Sequence, residues 1–196
     1  MLQTAQLLKH LQGLMQNPRQ ELNEISRAYY PGGFTIISRF YTVFMILIPV
    51  SFGIKELIRY KTIKIFLFNS MILPITAILS FIVVLYLLSI ILEETAQVMK
   101  GQVPHLAGAK VAYFSGLPMI AMLVFSTIPY IGFIFPLAGF IYQVILIYLS
   151  SELFFQLAPR KRYLWLIAVV LSFVLLLLLF SLLASLASLA LNFIQL

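Results

Sequence analysis

The most continuous apolar pattern in the chain covers residues 111–150, which contain no charged side chain. A membrane-spanning helix needs about 20 predominantly apolar residues, so this stretch is long enough for two crossings. Its middle holds Pro129 and Gly132, and both residue types favour a turn. The pattern predicts two transmembrane helices, at about 111–128 and 131–150, joined by a tight uncharged turn.

Three further apolar stretches are each long enough to cross a bilayer. They cover about 35–54, 66–92 and 163–192. The last is longer than the hydrocarbon core requires at about 1.5 Å per residue, so that helix must tilt or protrude. The sequence therefore predicts an all-α polytopic membrane bundle of five transmembrane helices over 34–196, preceded by a separate segment over 1–33.

The N-terminal segment is too polar to span a membrane. In residues 2–16 the apolar positions recur at helical spacing among polar ones, and they are Leu7, Leu8, Leu11, Leu14 and Met15. Such an amphipathic helix either lies on the membrane surface or packs on the protein's own spans. Asn17 and Pro18 predict the cap and first turn of a second short helix over 18–30, with Glu21 near its positive end.

The composition supports a membrane protein. Hydrophobic residues make up 62% of the chain and charged residues 10%, whereas soluble domains carry about 25% charged residues. The formal charge of +7 would suggest nucleic-acid binding in a soluble protein. Beside membrane spans, basic residues instead set the orientation and contact anionic headgroups. We therefore expect membrane lipid, and not nucleic acid, as a partner.

Basic residues are divided unequally between the two sides that five spans would create. The side of the N-terminus receives nine, counting Arg39 at its boundary, and the other side receives four. Those four are Lys55, Arg59, Lys61 and Lys64. Because basic residues accumulate on the cytoplasmic side, the count predicts a cytoplasmic N-terminus.

Sequence patterns for catalysis or metal binding are absent. The chain has no cysteine, no nucleophile elbow, no phosphate-binding loop and no dinucleotide-binding fingerprint. Its two histidines, His10 and His105, lie outside any metal-binding spacing. The sequence therefore predicts a protein that is not an enzyme and has no catalytic residues, no cofactor and no metal site.

Three charged residues are candidates for an intramembrane ion pair. Arg39 lies inside the start of the first predicted span, and Glu93 and Glu94 lie at the end of the second. Antiparallel neighbouring spans would place both positions at one depth, and charges inside membranes are often functional. The alternative is that Arg39 extends to the headgroups while its stem stays in the apolar region.

Prolines within the predicted spans can kink helices and free backbone carbonyls. Pro74 and Pro118, together with the polar Gln143, are the candidates for lining a cavity between kinked helices. The kinks are equally compatible with shaping a packed bundle.

The last predicted span carries small residues on one helical face, namely Ser181, Ala184, Ser185 and Ser188. Small side chains allow close helix approach in membranes. This face is predicted to pack within the chain or against a second copy.

The arrangement of prolines resembles that of small bacterial members of the YIP-domain family, relatives of the Ypt-interacting proteins. The resemblance rests on Asn17-Pro18 with Glu21, on Ile48-Pro49, and on Pro118 followed eleven residues later by Pro129. It covers about residues 15–190. The family's aromatic residue before the first hairpin proline corresponds to Tyr113 or Phe114.

Membership would imply five spans, a cytoplasmic N-terminus and a location in the bacterial inner membrane. Eukaryotic relatives bind small GTPases in vesicle traffic. The long polar N-terminal region of those relatives has no counterpart in this sequence, so GTPase binding is not carried over. No catalytic residue is implied either.

Two functions are compatible with these patterns. The first is a non-enzymatic integral membrane protein acting through contacts with lipid, a second copy or another membrane protein. The rival is a small transporter or lipid-translocating protein with a path near Pro74, Pro118 and Gln143. A polar cavity open to one side would favour the rival, and an interior filled with apolar side chains would favour the first.

Overall fold

A computed structural model describes residues 2–59, 73–128 and 130–194. Within these ranges the regular structure is entirely helical. The α-helices in chain order are α1 Leu2–Gln16, α2 Pro18–Arg27, α3 Gly33–Phe40, α4 Thr42–Arg59, α5 Leu73–Val98, α6 Ala107–Leu123, α7 Ile134–Leu153 and α8 Pro159–Ile194. A 3₁₀ turn, Val124–Thr127, extends α6. The predicted helical class is confirmed.

Four helices in the described part of the chain are long and apolar enough to cross a membrane. The candidate spans are Ile78–Val98, Ala107–Thr127, Ile134–Leu153 and Pro159–Leu179. They fit a multi-pass membrane protein and include both helices of the predicted hairpin. The residues of the second predicted span that precede Leu73 lie outside the described ranges.

The region of the first predicted span forms two helices. α3 ends at Phe40 and α4 begins at Thr42. Between them, the Tyr41 hydroxyl donates a hydrogen bond to the backbone oxygen of Tyr113 at 2.7 Å. The apolar part of α4, Thr42–Gly53, is shorter than a full crossing requires. Within the described residues four candidate spans are therefore found, and a crossing by the first predicted span stays a prediction.

Helix α6 lies at the centre of the bundle. Every residue from Ala107 to Pro118 is buried, and the helix packs against α5 and α7. Glycines permit the close approaches: a Cβ on Gly108 would overlap the backbone oxygen of Ser89, and one on Gly139 would lie 2.8 Å from Cα of Met119. Larger side chains at either glycine would force neighbouring helices apart.

The start of α6 is capped by a neighbouring helix. Leu106 precedes it in the left-handed conformation, with φ of 58°, and provides no side-chain cap. Instead, Oε1 of Glu93 on α5 accepts a hydrogen bond from the backbone N–H of Gly108 at 2.8 Å. A carboxylate at this end interacts favourably with the helix dipole.

The predicted helix start at Asn17 is confirmed. Its Oδ1 accepts a hydrogen bond from the backbone N–H of Gln20 at 3.4 Å, and Pro18 occupies the first turn of α2. The predicted apolar residues of α1 differ in burial. Leu14 is fully buried in the bundle core, whereas Leu8 and Met15 are 61% and 60% exposed. The helix therefore packs on the protein and also presents apolar side chains outward.

Candidate functional site at the N-terminal helices

A buried lysine holds the C-terminal end of α2. Lys110 lies in the first turn of α6, where a cation is unfavourable near the positive end of the helix. Its Nζ donates hydrogen bonds to the backbone oxygens of Ser26 at 2.9 Å and Ala28 at 2.7 Å. Carbonyls at a helix C-terminus carry the negative end of the dipole, and they attract this ammonium. The Tyr30 ring lies beneath it, 5.8 Å from Nζ to the ring centroid.

A tyrosine holds the C-terminal end of α1 in the same manner. The Tyr142 hydroxyl on α7 donates a hydrogen bond to the backbone oxygen of Leu14 at 2.5 Å. Leu14 lies in the last turn of α1, where carbonyls have no partner within the helix. Two of the candidate membrane spans, α6 and α7, thus bind the polar ends of the two N-terminal helices.

The two N-terminal helices are joined to each other by His10 and Glu21. The Nδ1 of His10 lies 2.5 Å from Oε1 of Glu21, and both side chains are largely buried. Gly13 leaves space for this carboxylate, because a Cβ there would overlap Oε2 of Glu21. The His10 ring also contacts Phe114 of α6 edge to face, with centroids 5.4 Å apart. This places the α1–α2 pair directly on the central helix.

Charged residues extend the site toward the end of α7. Oε2 of Glu152 lies 2.8 Å from Nη1 of Arg162 and 3.6 Å from Nη2 of Arg19. The Lys161 ammonium donates to the backbone oxygen of Met99, just beyond the end of α5. The end of α5 and the α7–α8 connection therefore meet α2 at one end of the molecule.

Two grooves border the N-terminal helices. A polar groove of about 280 Å³ lies between α1 and α2, lined by residues including Lys9, Gln12, Gln16 and Glu24. An apolar groove of about 190 Å³ lies where α1 meets α6 and α7, lined by Met15, Pro118, Met122, Ala138, Gly139 and Tyr142. The first suits polar or charged partners, and the second suits a hydrocarbon chain.

Of the predicted ion-pair residues, Glu93 and Glu94 have described side chains. Glu93 binds the Gly108 N–H, and Glu94, next to it, is exposed. Arg39 belongs to α3, but its side chain lies outside the described part of the structure. The ion pair stays a prediction, while Glu93 has a structural partner that its sequence position did not indicate.

Of the three predicted cavity residues, Pro118 and Gln143 have described side chains. Pro74 belongs to α5, and its side chain is outside the described residues. Pro118 lines the apolar groove. Gln143 is completely buried on α7, and neither its Oε1 nor its Nε2 has a hydrogen-bond partner among the described residues.

The predicted small-residue face belongs to the distal part of α8. The helix continues through Ser181, Ala184, Ser185 and Ser188, but their side chains lie outside the described residues. Packing within the chain and pairing with a second copy both stay predictions. In the described residues, no group of three metal-binding side chains comes together.

Sequence reasoning missed the roles of Lys110, Tyr142 and His10. A sequence signal for Lys110 exists, because it is a single cation directly before the long uncharged stretch 111–150. His10 and Glu21 lie on either side of the Asn17-Pro18 turn, a placement typical of a contact between two antiparallel helices. The Tyr142 bond to a backbone carbonyl had no sequence signal.

Comparisons of the chain with protein-family models, with curated proteins and with solved structures found no match.

Proposed function

We propose that the chain is a non-enzymatic integral membrane protein that acts through contacts with lipid or with other membrane proteins, using α1 and α2 as its contact surface. The observation that carries the proposal is the attachment of these helices. Lys110 and Tyr142 bind their C-terminal carbonyls, and Leu14, Leu22 and Ile25 are fully buried. The pair is thus held in place while its outer face remains accessible.

The outer face combines features suited to a membrane surface. Leu8 and Met15 are exposed apolar residues of α1, and Lys9, Arg19 and Arg27 are exposed cations of the same two helices. Apolar side chains beside cations bind the boundary between acyl chains and anionic headgroups. A partner protein with an acidic surface would meet the same cations.

The apolar interior around α6 supports a function through contacts with other molecules rather than transport through the bundle. Fully buried side chains of α5 and α6 fill this interior, among them Leu85, Leu88, Val111, Phe114 and Leu117. Close packing of this kind leaves little room for a hydrated path.

We place the N-terminus in the cytoplasm and the protein in a bacterial inner membrane, as a YIP-like protein with five spans. Supporting this, Arg19, Lys161 and Arg162 meet at one end of the molecule, which agrees with a cytoplasmic accumulation of basic residues. The fifth span would require the region of α3 and α4 to cross the bilayer.

Site-specific photo-crosslinking in native membranes tests the proposal. A photoreactive residue at exposed position Lys9 should yield discrete adducts with protein or lipid. The matched control is Tyr130, which is 97% exposed in the turn between α6 and α7. Adducts from Lys9 that are no more abundant or defined than those from Tyr130 would contradict a dedicated contact surface on α1.

Lipid translocation is the second candidate, and Gln143 is the observation that favours it. A buried amide without a partner among the described residues is costly, so it is retained where it serves a function. Proteoliposomes with a fluorescent phospholipid would show translocation as quencher access to inner-leaflet lipid. This candidate requires the parent protein to accelerate exchange and Gln143→Leu to abolish it.

A further inference from the structure

The apolar groove beside Tyr142 and a cationic end of the molecule lie at the two ends of one face of α7. Positions Ala138, Tyr142, Ile145, Leu149 and Glu152 recur at three- and four-residue spacing, which places them on one helical face. The groove lies at the Ala138 and Tyr142 end, and Ile145 is 45% exposed between the two ends. The other end of the face is Glu152 with Arg19 and Arg162.

The length of this face matches one leaflet of a bilayer. Tyr142 and Glu152 are separated by ten helical residues, and at about 1.5 Å each they span about 15 Å. One leaflet contributes about half of the ~30 Å hydrocarbon core. A headgroup at Arg19 would therefore place the attached acyl chain along α7, with its distal part in the groove.

The two ends of this α7 face complement the two parts of an anionic phospholipid, its headgroup and its acyl chain. Arg19 is 69% exposed, and its 3.6 Å contact with Glu152 is long for a charge-assisted hydrogen bond. Two arginines against one carboxylate leave a net positive charge at this end. At the other end, Met15 and Met122 offer flexible thioether side chains, which adapt to an irregular hydrocarbon chain.

We infer that this groove and Arg19 form a binding site for one anionic phospholipid taken from the surrounding bilayer. The lipid would fill the space between α1, α6 and α7, with its phosphate beside Arg19. The inference rests on the proposed function and names the lipid class that this contact surface retains.

Native mass spectrometry of the full-length protein, with added phosphatidylglycerol or phosphatidylcholine, measures retained lipid directly. The parent should retain phosphatidylglycerol about fivefold better than phosphatidylcholine, as expected for one cation at an anionic headgroup. Arg19→Gln should remove that preference. Arg160→Gln, which changes an exposed cation at the start of α8 outside this contact surface, should leave it unchanged.

Filling the groove tests the acyl-chain end. Ala138→Phe places a ring in the groove from an exposed position, whereas Leu137→Phe adds one to a neighbouring residue that is 55% exposed. Ala138→Phe should lower retention of both lipids about tenfold. Leaving two methylene groups of the acyl chain outside the groove is enough to weaken binding by about that factor. Leu137→Phe should match the parent.

Two results would overturn the inference: equal retention by Ala138→Phe and the parent, or a headgroup preference that survives Arg19→Gln. Crosslinks from Lys9 to a protein would then still support the proposed function, which separates failure of the lipid site from failure of the contact surface. Loss of both the lipid and the Lys9 adducts would reject both.

Discussion

The ammonium of Lys110 lies 2.7 Å from the backbone oxygen of Ala28, although the two residues are 82 positions apart. This bond joins the start of the central helix to the end of α2. It satisfies carbonyl groups at the end of α2 that have no partner within the helix, and it places a cation where the dipole of α2 is negative. The N-terminal helices are therefore held by polar bonds as well as by apolar packing.

Replacing Lys110 should release the end of α2. Lys110→Met keeps much of the side-chain length but removes both hydrogen bonds, so we expect a loss of about 2 kcal/mol in the free energy of unfolding. Hydrogen exchange should rise in α2 more than in α7. Arg160→Met changes an exposed cation at the start of α8 and is the matched control. Unchanged exchange in α2 for Lys110→Met would show that this bond does not hold the helix.

Removing the Tyr142 hydroxyl should loosen the C-terminal end of α1. Tyr142→Phe preserves the ring and leaves the Leu14 carbonyl without its donor, at a cost of about 1 kcal/mol. Thermal unfolding in mild detergent and hydrogen exchange near the α1–α2 turn would both report the change. Tyr130→Phe removes a hydroxyl from a 97% exposed side chain and should have no effect. Equal behaviour of the two variants would contradict the assigned role.

The cap at α6 predicts different effects for two adjacent glutamates. Glu93→Ala removes the acceptor for the Gly108 N–H and should destabilise the protein by about 1–2 kcal/mol. Glu94→Ala changes an exposed neighbour and should cost little. Thermal melting of both variants distinguishes them.

The same pair of variants tests the predicted link to Arg39. If Arg39→Leu reproduces the loss seen for Glu93→Ala, and the two losses are not additive, an ion pair contributes to the role of Glu93. Additive losses would assign Glu93 to the helix cap.

Gly13 should not tolerate a methyl group, even though alanine favours helices by about 0.5–1 kcal/mol over glycine. In Gly13→Ala the new Cβ displaces the Glu21 carboxylate and breaks its bond to His10. We expect the net effect to be destabilising, with wider separation of α1 and α2 in spin-label distance measurements.

Two comparisons isolate the cause at Gly13. Gly32→Ala is the matched control, because a Cβ there meets no described atom within 4 Å. In the double variant Gly13→Ala with Glu21→Ala the overlap is removed, so the penalty of Gly13→Ala should disappear. A persistent penalty in the double variant would locate the strain elsewhere.

Much of the architecture was readable from local patterns. The uncharged stretch around Pro129 predicted a helical hairpin, and the structure has α6 and α7 there. Asn17 and Pro18 predicted a helix start, and both occupy the cap and first turn of α2. These predictions succeeded because a bilayer requires long apolar helices and because a cap depends on a few adjacent residues.

The sequence by itself determined the class of protein, a helical membrane bundle with short helices before it, since apolar length and local caps are properties of neighbouring residues. Only the tertiary structure decided that α6 is the central helix, that Glu93 caps it, and that Lys110 and Tyr142 bind the ends of α2 and α1. These contacts join residues far apart in the chain through backbone carbonyls and amides. Every residue type provides those groups, so no sequence pattern marks which ones will be bound.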